Sequence, residues 1–361
     1  MDKLPYREFL AMIQEKTREA DVPYSGSFEL TPLCNLDCKM CYVHLQDASV
    51  KQRMLSGEQW ISLIQQAIDA GMMNATLTGG EAMTHPAFWD IYMYLLNHGI
   101  TTFVNTNGLL LNEEAVKRFQ AYRPFQIAIS LYGCDSESYV AVTGVDAYEQ
   151  VVRNIQMAID AGLHIRINIT PSKFMSPWTE RVMALAKSFG VSVIVNYSLI
   201  EAREDTGRKK ADFDIPLDEE LRIQEKRKAL FSSGYSDRQS CYFMKNRNRP
   251  HVSDKGLYCS AGRSLFAVNW DGAMKPCLNF PRDVVCAHPL CDGFRQAWSE
   301  VNEGVKNYEV PQACHSCELK DECYYCPKCH QKVAARHLCD PDYCNYRKAR
   351  YKADQKTENS N

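Results

Sequence analysis

From residue 26 to residue 198 the chain repeats one pattern: a short β-rich apolar run, then a longer segment whose apolar positions recur at helical spacing. The β-rich runs are Phe28–Pro32, NATLTG (74–79), ITTFVNT (100–106), FQIAISL (125–131), LHIRINIT (163–170) and VSVIVNYS (191–198). Between them EQWISLIQQAIDAG, AFWDIYMYLLNHG, NEEAVKRFQAY, AYEQVVRNIQMAIDAG and WTERVMALAKSFG predict helices. Several close on a glycine suited to a left-handed C-terminal cap, namely Gly71, Gly99, Gly162 and Gly190. Six β/α units in alternation predict a parallel sheet covered by helices, and six are too few for a closed eight-stranded barrel. In such a sheet, chemistry collects at the C-terminal ends of the strands. Residues 1–25 read as a short helix and an arm, 203–212 as a charged linker, and 217–231 as one further amphipathic helix.

Composition adds a second region to this picture. A hydrophobic fraction of 45% in 361 residues supports a large domain with a smaller one beside it. A formal net charge of −2 gives no global attraction to nucleic acid or to an anionic membrane. No stretch is apolar for the length of a signal-peptide core or a bilayer span, so a cytoplasmic location is expected. Sixteen cysteines in that compartment are not a disulfide framework and predict metal ligation. Three lie in residues 34–41, one is Cys134, and twelve fall between Cys241 and Cys344. That asymmetry divides the chain into an N-terminal arm (1–25), a β/α domain (26–212), a linker helix (213–240) and a Cys-rich C-terminal domain (241–361).

The first three cysteines, Cys34, Cys38 and Cys41, read C-x3-C-x2-C on the loop leaving the first strand. Three thiolates so spaced can each take one iron of a cubane cluster and leave the fourth iron open to a ligand. Zinc or a redox pair is the alternative for three close cysteines. The spacing, with Met40 as the hydrophobic residue before the last cysteine, resembles the radical S-adenosylmethionine (SAM) superfamily. The resemblance implies a partial (β/α)6 TIM-like barrel of the α/β class. It also implies that the open iron chelates SAM, whose reductive cleavage gives methionine and a 5′-deoxyadenosyl radical that takes a hydrogen atom from substrate.

Other strand ends fit this resemblance. Thr78, Gly79, Gly80 and Glu81 end the second strand, where two glycines allow a close backbone approach and the Glu adds a carboxylate at the rim. In the family this turn orients the SAM amino group. Asn105 and Asn107 end the third strand, and Ser130, in Ser-Leu-Tyr-Gly, resembles a SAM-contacting position. Arg166 and Asn168 interrupt an apolar strand; they are either SAM contacts or a solvent-facing alternation. Many members carry an Arg soon after the fourth-strand turn, and this chain has Ala141-Val142-Thr143-Gly144 there. Cys134 follows the turn directly, as a buried small residue or as a hydrogen-atom donor at the barrel mouth.

In the C-terminal region Cys259-x12-Gly272-x4-Cys277 spans an Asp-Gly turn that predicts a β-hairpin bringing two thiols together. Downstream come Cys314-x2-Cys317-x5-Cys323-x2-Cys326, then Cys344. This order resembles the SPASM extension of radical SAM enzymes, with a β-hairpin and helices around two auxiliary four-iron clusters. The resemblance assigns Cys241, Cys259, Cys277 and Cys326 to the first, with Cys329 an alternative to Cys326, and Cys314, Cys317, Cys323 and Cys344 to the second. Cys286, Cys291 and Cys339 are left over. Zinc ribbons are the alternative for these pairs.

The expected cofactors are therefore three 4Fe–4S clusters and SAM. The expected reaction is crosslinking or oxidation of a peptide or protein side chain, with the auxiliary clusters accepting electrons. An external donor such as flavodoxin or ferredoxin would supply the first electron. Leu278 stands where the sulfatase-maturing branch has Asp. The alternatives are a small-molecule dehydrogenase or epimerase of the same class, and a non-catalytic zinc-stabilised binding module.

Overall fold

The computed structural model describes residues 6–43, 45, 49–197, 199, 210–231, 256–257, 259–321, 323, 326–327 and 341–358. After helix α1 (Tyr6–Glu19), the six expected strands form: β1 (Ser25–Glu29), β2 (Asn74–Thr78), β3 (Thr101–Thr106), β4 (Gln126–Ser130), β5 (Ile165–Ile169) and β6 (Ser192–Val195). Each is parallel to the next. The connecting helices are α2 (Val50–Arg53), α3 (Gly57–Asp69), α4 (Phe88–Asn97), α5 (Glu113–Ala121), α6 (Ser136–Thr143), α7 (Tyr148–Asp160) and α8 (Thr179–Ser188), followed by α9 (Lys210–Phe213) and α10 (Leu217–Leu230). Gly71, Gly99, Gly162 and Gly190 all take positive φ, between 69° and 110°, as their place after a helix requires. The alternation thus folds into the expected partial parallel barrel of the α/β class.

One helix departs from the sequence pattern. Helix α6 has no apolar stripe, and it forms because Asp135 and Ser138 close a capping box at its start. Its end has a role in the site described below.

The sheet also continues past β1. Strand β7 (Leu265–Val268) pairs parallel to β1, and β8 (Met274–Lys275) returns antiparallel, giving the order β6-β5-β4-β3-β2-β1-β7-β8. The hairpin expected around Asp271-Gly272 therefore exists, built onto the edge of the barrel. Phe28 of β1 meets Phe266 of β7 edge-to-face at 5.8 Å and Trp60 of α3 at 6.0 Å, so one core runs under both parts. Asp21 ties the same region to the N-terminal arm. Its carboxylate accepts from Arg263 Nε at 2.5 Å and Asn302 Nδ2 at 3.0 Å, and pairs with Lys306.

Register assigns the two faces of the sheet. Phe28, Leu77, Val104, Ile127 and Ile165 lie side by side and are buried against the helices. The neighbouring row holds Glu29 and Thr78, then Asn105, Ala128, Arg166 and Ser192, on the opposite, inner face. Ser130 and Asn168 form the next inner row toward the C-terminal end.

Helix Pro341–Glu358 docks on the outside of the barrel. Tyr346 donates to buried Glu220 of α10 at 2.8 Å, Arg350 pairs with the same carboxylate, and Arg350 Nη2 reaches Gln224 Oε1 at 2.6 Å. Among the described residues no helix is long and apolar enough to cross a membrane.

Candidate active site

The cysteine loop begins where β1 ends and is fixed by backbone bonds from two sides. Gly80 N donates to Thr31 O at 2.7 Å, and Glu81 N to Leu33 O at 2.9 Å. From the other side, Asp37 N and Lys39 N donate to the carbonyls of Thr143 and Val142 at 2.9 and 3.0 Å. The C-terminal turn of α6, where relatives were expected to carry an Arg, here clamps the loop through its main chain.

Within the loop, N–H groups point at sulfur: Leu36 N lies 3.4 Å from Cys34 Sγ and Val43 N lies 3.5 Å from Cys41 Sγ. Asn107 Nδ2 adds a contact to Cys34 Sγ at 3.6 Å and bonds Asn35 Oδ1 at 2.7 Å. Burial pushes the Cys34 thiol up to about 12, and the charges of Glu81 and Cys41 push in the same direction. A thiol so reluctant to ionise alone becomes a ligand when a cation accompanies it. Three sulfurs on one loop, with amide donors aimed at two of them, fit a cubane that takes one thiolate per iron. Among the described residues no three Cys, His, Asp or Glu side chains converge on a single-ion site.

The Gly-Gly-Glu turn packs directly on the cysteine loop. A Cβ on Gly79 would lie 2.5 Å from Thr31 O, and one on Gly80 would lie 2.4 Å from Leu33 O and 2.6 Å from Pro32 O. The close approach these glycines permit is therefore to the cysteine loop itself. Glu81 is not a carboxylate at the rim, since it is 0% exposed. It accepts from Met83 N at 3.1 Å, from Thr106 Oγ1 at 3.0 Å and from Asn107 N at 2.7 Å. Burial raises its pKa, and these donors oppose that shift. Glu81 thus rivets the β2 turn to the β3 turn and positions Asn107 against Cys34. Glu81→Ala leaves the buried Asn107 N–H without its acceptor. The expected loss is about 2–3 kcal/mol of stability, read as a lower chemical-denaturation midpoint.

The remaining expected SAM contacts divide by position. Met40 is 6% exposed and belongs to the apolar core. Thr78 and Asn105 stand on the inner row with Arg166, so Arg166 does not belong to a solvent-facing outer alternation. Asn168 pairs with Ser130 one row higher, and its carbonyl accepts from Leu131 N at 2.9 Å.

Beyond Ser130, on the turn that follows β4, stands Tyr132. The Tyr132 hydroxyl bonds Ser130, and its neighbours include Cys38, Cys41 and Cys34; burial first, then those sulfurs, hold its pKa well above the phenol range. The Cys134 sulfur lies elsewhere, at the start of α6, 3.8 Å from Asp135 Oδ2 and 3.7 Å from Ser138 Oγ. Arg181 and Tyr148 are its further neighbours. The Cys134 sulfur is thus surrounded by groups of α6, α7 and α8, and Tyr132 is the residue of that turn with the cysteine trio as charged neighbours.

In the C-terminal field, burial and the charge of Cys277 push the Cys259 thiol to about 11, and the two residues flank the β7–β8 hairpin. Cys314 and Cys317 follow in one turn, Cys317 N donating to Cys314 O at 3.3 Å, and Leu319 N lies 3.5 Å from Cys317 Sγ. Cys323 N donates to Leu319 O at 2.7 Å. Cys326 is half-buried, and Cys344 stands on helix Pro341–Glu358. Cys241 and its neighbourhood, Cys329 and Cys339 lie outside the described residues.

A partial parallel barrel with three clustered thiols at the C-terminal end of β1 has the architecture of a radical SAM domain. Residues 28–195 match the model of the Radical SAM superfamily. This part of the chain is the domain of a radical SAM enzyme, with a 4Fe–4S cluster and SAM as its cofactors. The chain is 25% identical over 347 residues to the AdoMet-dependent heme synthase of Methanosarcina barkeri (strain Fusaro / DSM 804), covering 91% of this chain and 97% of that protein. It is 24% identical over 332 residues to the antilisterial bacteriocin subtilosin biosynthesis protein AlbA of Bacillus subtilis (strain 168), covering 88% and 69%. The crystal structure of Streptococcus suis SuiB bound to precursor peptide SuiA superimposes with a TM-score of 0.69 at 18% identity, over 94% of this chain and 81% of that one.

Proposed function

We propose that this enzyme crosslinks or oxidises a side chain of a peptide or protein, with substrate held in the barrel lumen between a radical source and an electron acceptor. The topology of the hairpin carries this reading. Cys34 follows the C-terminal end of β1, whereas Cys259 precedes β7 and Cys277 follows β8. Because β7 is parallel to β1 and β8 antiparallel, that pair belongs at the N-terminal end of β1. The two thiol sites then flank the five residues of β1, roughly 17 Å of strand. Between them run the inner rows bearing Thr78, Asn105, Arg166, Ser130 and Asn168.

When bound, SAM at the first cluster supplies a radical that removes a hydrogen atom, and two auxiliary clusters supply acceptors for the electron left behind. The chain's own contribution is placement. Backbone from Thr31 to Lys39 is held by the β2 turn and α6, so Cys34, Cys38 and Cys41 would hold the cluster at a fixed place beyond the end of β1. Arg166 offers a guanidinium suited to a carboxylate, and Asn105, Asn168 and Ser130 offer neutral hydrogen-bonding groups. Tyr132, on the turn after β4, holds Ser130.

The three-cluster reading assigns Cys241, Cys259, Cys277 and Cys326 to one auxiliary cluster, and Cys314, Cys317, Cys323 and Cys344 to the other. A soluble donor of the flavodoxin or ferredoxin kind starts each turnover, and the reducing cytoplasm suits free thiols in this number. The peptide class of substrate is supported by the relatives, of which AlbA is named for bacteriocin biosynthesis and SuiB was crystallised with a precursor peptide. The heme synthase relative, matched along 97% of its length, favours a second reading in which the substrate is a small molecule. A short precursor reading frame beside the gene supports the first reading, and metabolic genes support the second.

Cys277→Ala tests the arrangement. One cluster is expected to be lost, lowering iron from about twelve to about eight per chain, while SAM cleavage persists because its ligands lie elsewhere. Product is expected to collapse while 5′-deoxyadenosine still accumulates, uncoupled from turnover. Full product yield in this variant overturns the electron-accepting role.

A further inference from the structure

The C-terminal helix presents two distinct faces. Tyr346 and Arg350, four residues apart, hold it to Glu220 and Gln224 of α10. Cys344, Arg347 and Lys348, at i, i+3 and i+4, lie together on a different side. There the Arg347 guanidinium hydrogen-bonds Cys323, with Tyr343 and Tyr346 beside it. Lys348, paired to Glu318 at 3.1 Å, has Cys317 and Cys344 as charged neighbours. One helical turn therefore delivers a thiol and sets cations beside two other members of the second cysteine set, Cys317 and Cys323. With Leu319 N aimed at Cys317 Sγ, every sulfur of Cys317, Cys323 and Cys344 has a donor or a cation close by. That donor set fits a cluster held by thiolates, whose negative charge these groups offset.

We propose that Arg347 is a redox-tuning residue: its hydrogen bond to the Cys323 sulfur raises the reduction potential of the cluster held by Cys314, Cys317, Cys323 and Cys344. The inference deepens the reading above and rests on it. Reduction adds one negative charge to a cubane, and a hydrogen bond or cation at its sulfur stabilises the reduced state more than the oxidised one. Arg347 is half-buried, so solvent screens it less than it screens Lys348, whose side chain is 42% exposed. Arg347 also has a planar fork of fixed donors, whereas Lys348 is a hydrated point charge engaged by Glu318. In the balance of a turnover the substrate radical gives up one electron and one proton. The proton goes to solvent, and the electron goes by way of the auxiliary clusters to a soluble one-electron carrier. Arg347 acts on one of those clusters through its ligand sulfur, as a positioning group that touches no substrate.

The test is a potentiometric titration followed by electron paramagnetic resonance, on full-length holoprotein in which Cys34, Cys38 and Cys41 are replaced so that only auxiliary signals remain. Arg347→Gln is expected to lower the potential of one auxiliary cluster, and not the other, by at least a tenfold change in its reduction equilibrium, about 59 mV for one electron. Arg347→Lys keeps the charge but loses the fork, and is expected to fall between. Lys348→Gln is expected to shift the same cluster less than Arg347→Gln does. Unchanged potentials in Arg347→Gln, or an equal shift in Lys348→Gln, overturn the assignment while leaving the two-cluster reading in place. If Arg347→Gln does not assemble the cluster, Arg347→Lys decides alone: an unshifted potential there overturns the proposal. A parent protein with only one auxiliary signal and about four irons overturns the two-cluster reading and this inference with it.

Discussion

Replacing Cys34, Cys38 and Cys41 together by Ala is expected to remove about four of about twelve irons and to abolish SAM cleavage, while the auxiliary signals stay. The loop these residues occupy does not depend on their sulfurs for its course. It is pinned at Gly80 N–Thr31 O, Glu81 N–Leu33 O, Asp37 N–Thr143 O and Lys39 N–Val142 O, all between backbone groups. The barrel beneath it is closed by Phe28, Leu77, Val104, Ile127 and Ile165, none of which touches the thiols' role. Loss of the trio is therefore a loss of ligands from a standing scaffold. Iron and sulfide assay, circular dichroism and detection of 5′-deoxyadenosine check the three parts separately. A wild-type protein with near-zero iron and stoichiometric zinc would sink the cluster assignment at both ends of the barrel.

The six strands and their helices were legible because each carries its own signal: alternation in the strands, an apolar stripe in the helices, and a glycine where the helix must stop. Helix α6 lacked that stripe, and only its Asp135 cap marked it. The pairing of β7 with β1 joins segments some 240 residues apart in sequence, and no local pattern encodes which strand a hairpin will sit beside. The polar residues Arg166 and Asn168 were visible, but period-2 alternation states only that they share a face. It took the register through Ala128 and Asn105 to show that this face is the lumen. Tyr132 was readable by the same period, two residues beyond Ser130, yet one tyrosine among nineteen carries no signal of its own. Cys134 stands two residues further on, next to the Asp135 cap of α6, where its sulfur lies 3.7 Å from Ser138 Oγ.

Gly80→Ala is expected to cost the enzyme its radical-generating cluster, although position 80 provides no ligand. The added Cβ would stand 2.4 Å from Leu33 O and 2.6 Å from Pro32 O, far inside contact distance, and both neighbours are main chain that no rotamer change can move. Relief requires the 31–34 backbone to shift away from the β2 turn, which stretches the Gly80 N–Thr31 O bond of 2.7 Å and the Glu81 N–Leu33 O bond of 2.9 Å. Cys34 is the next residue after Leu33, so the displacement is passed directly to a ligand. Overpacking of this kind costs about 1–3 kcal/mol, and the β1–β2 ladder and the core beneath can bear that. The wider sheet is expected to survive while iron falls by about four and the signal of the SAM-binding cluster disappears. Had the glycine served only to let backbone approach SAM, iron content would stay whole and SAM affinity alone would fall. Iron assay and SAM titration on the same preparation separate the two, and a fully loaded Gly80→Ala protein with weakened SAM binding would return the turn to a role in ligand contact.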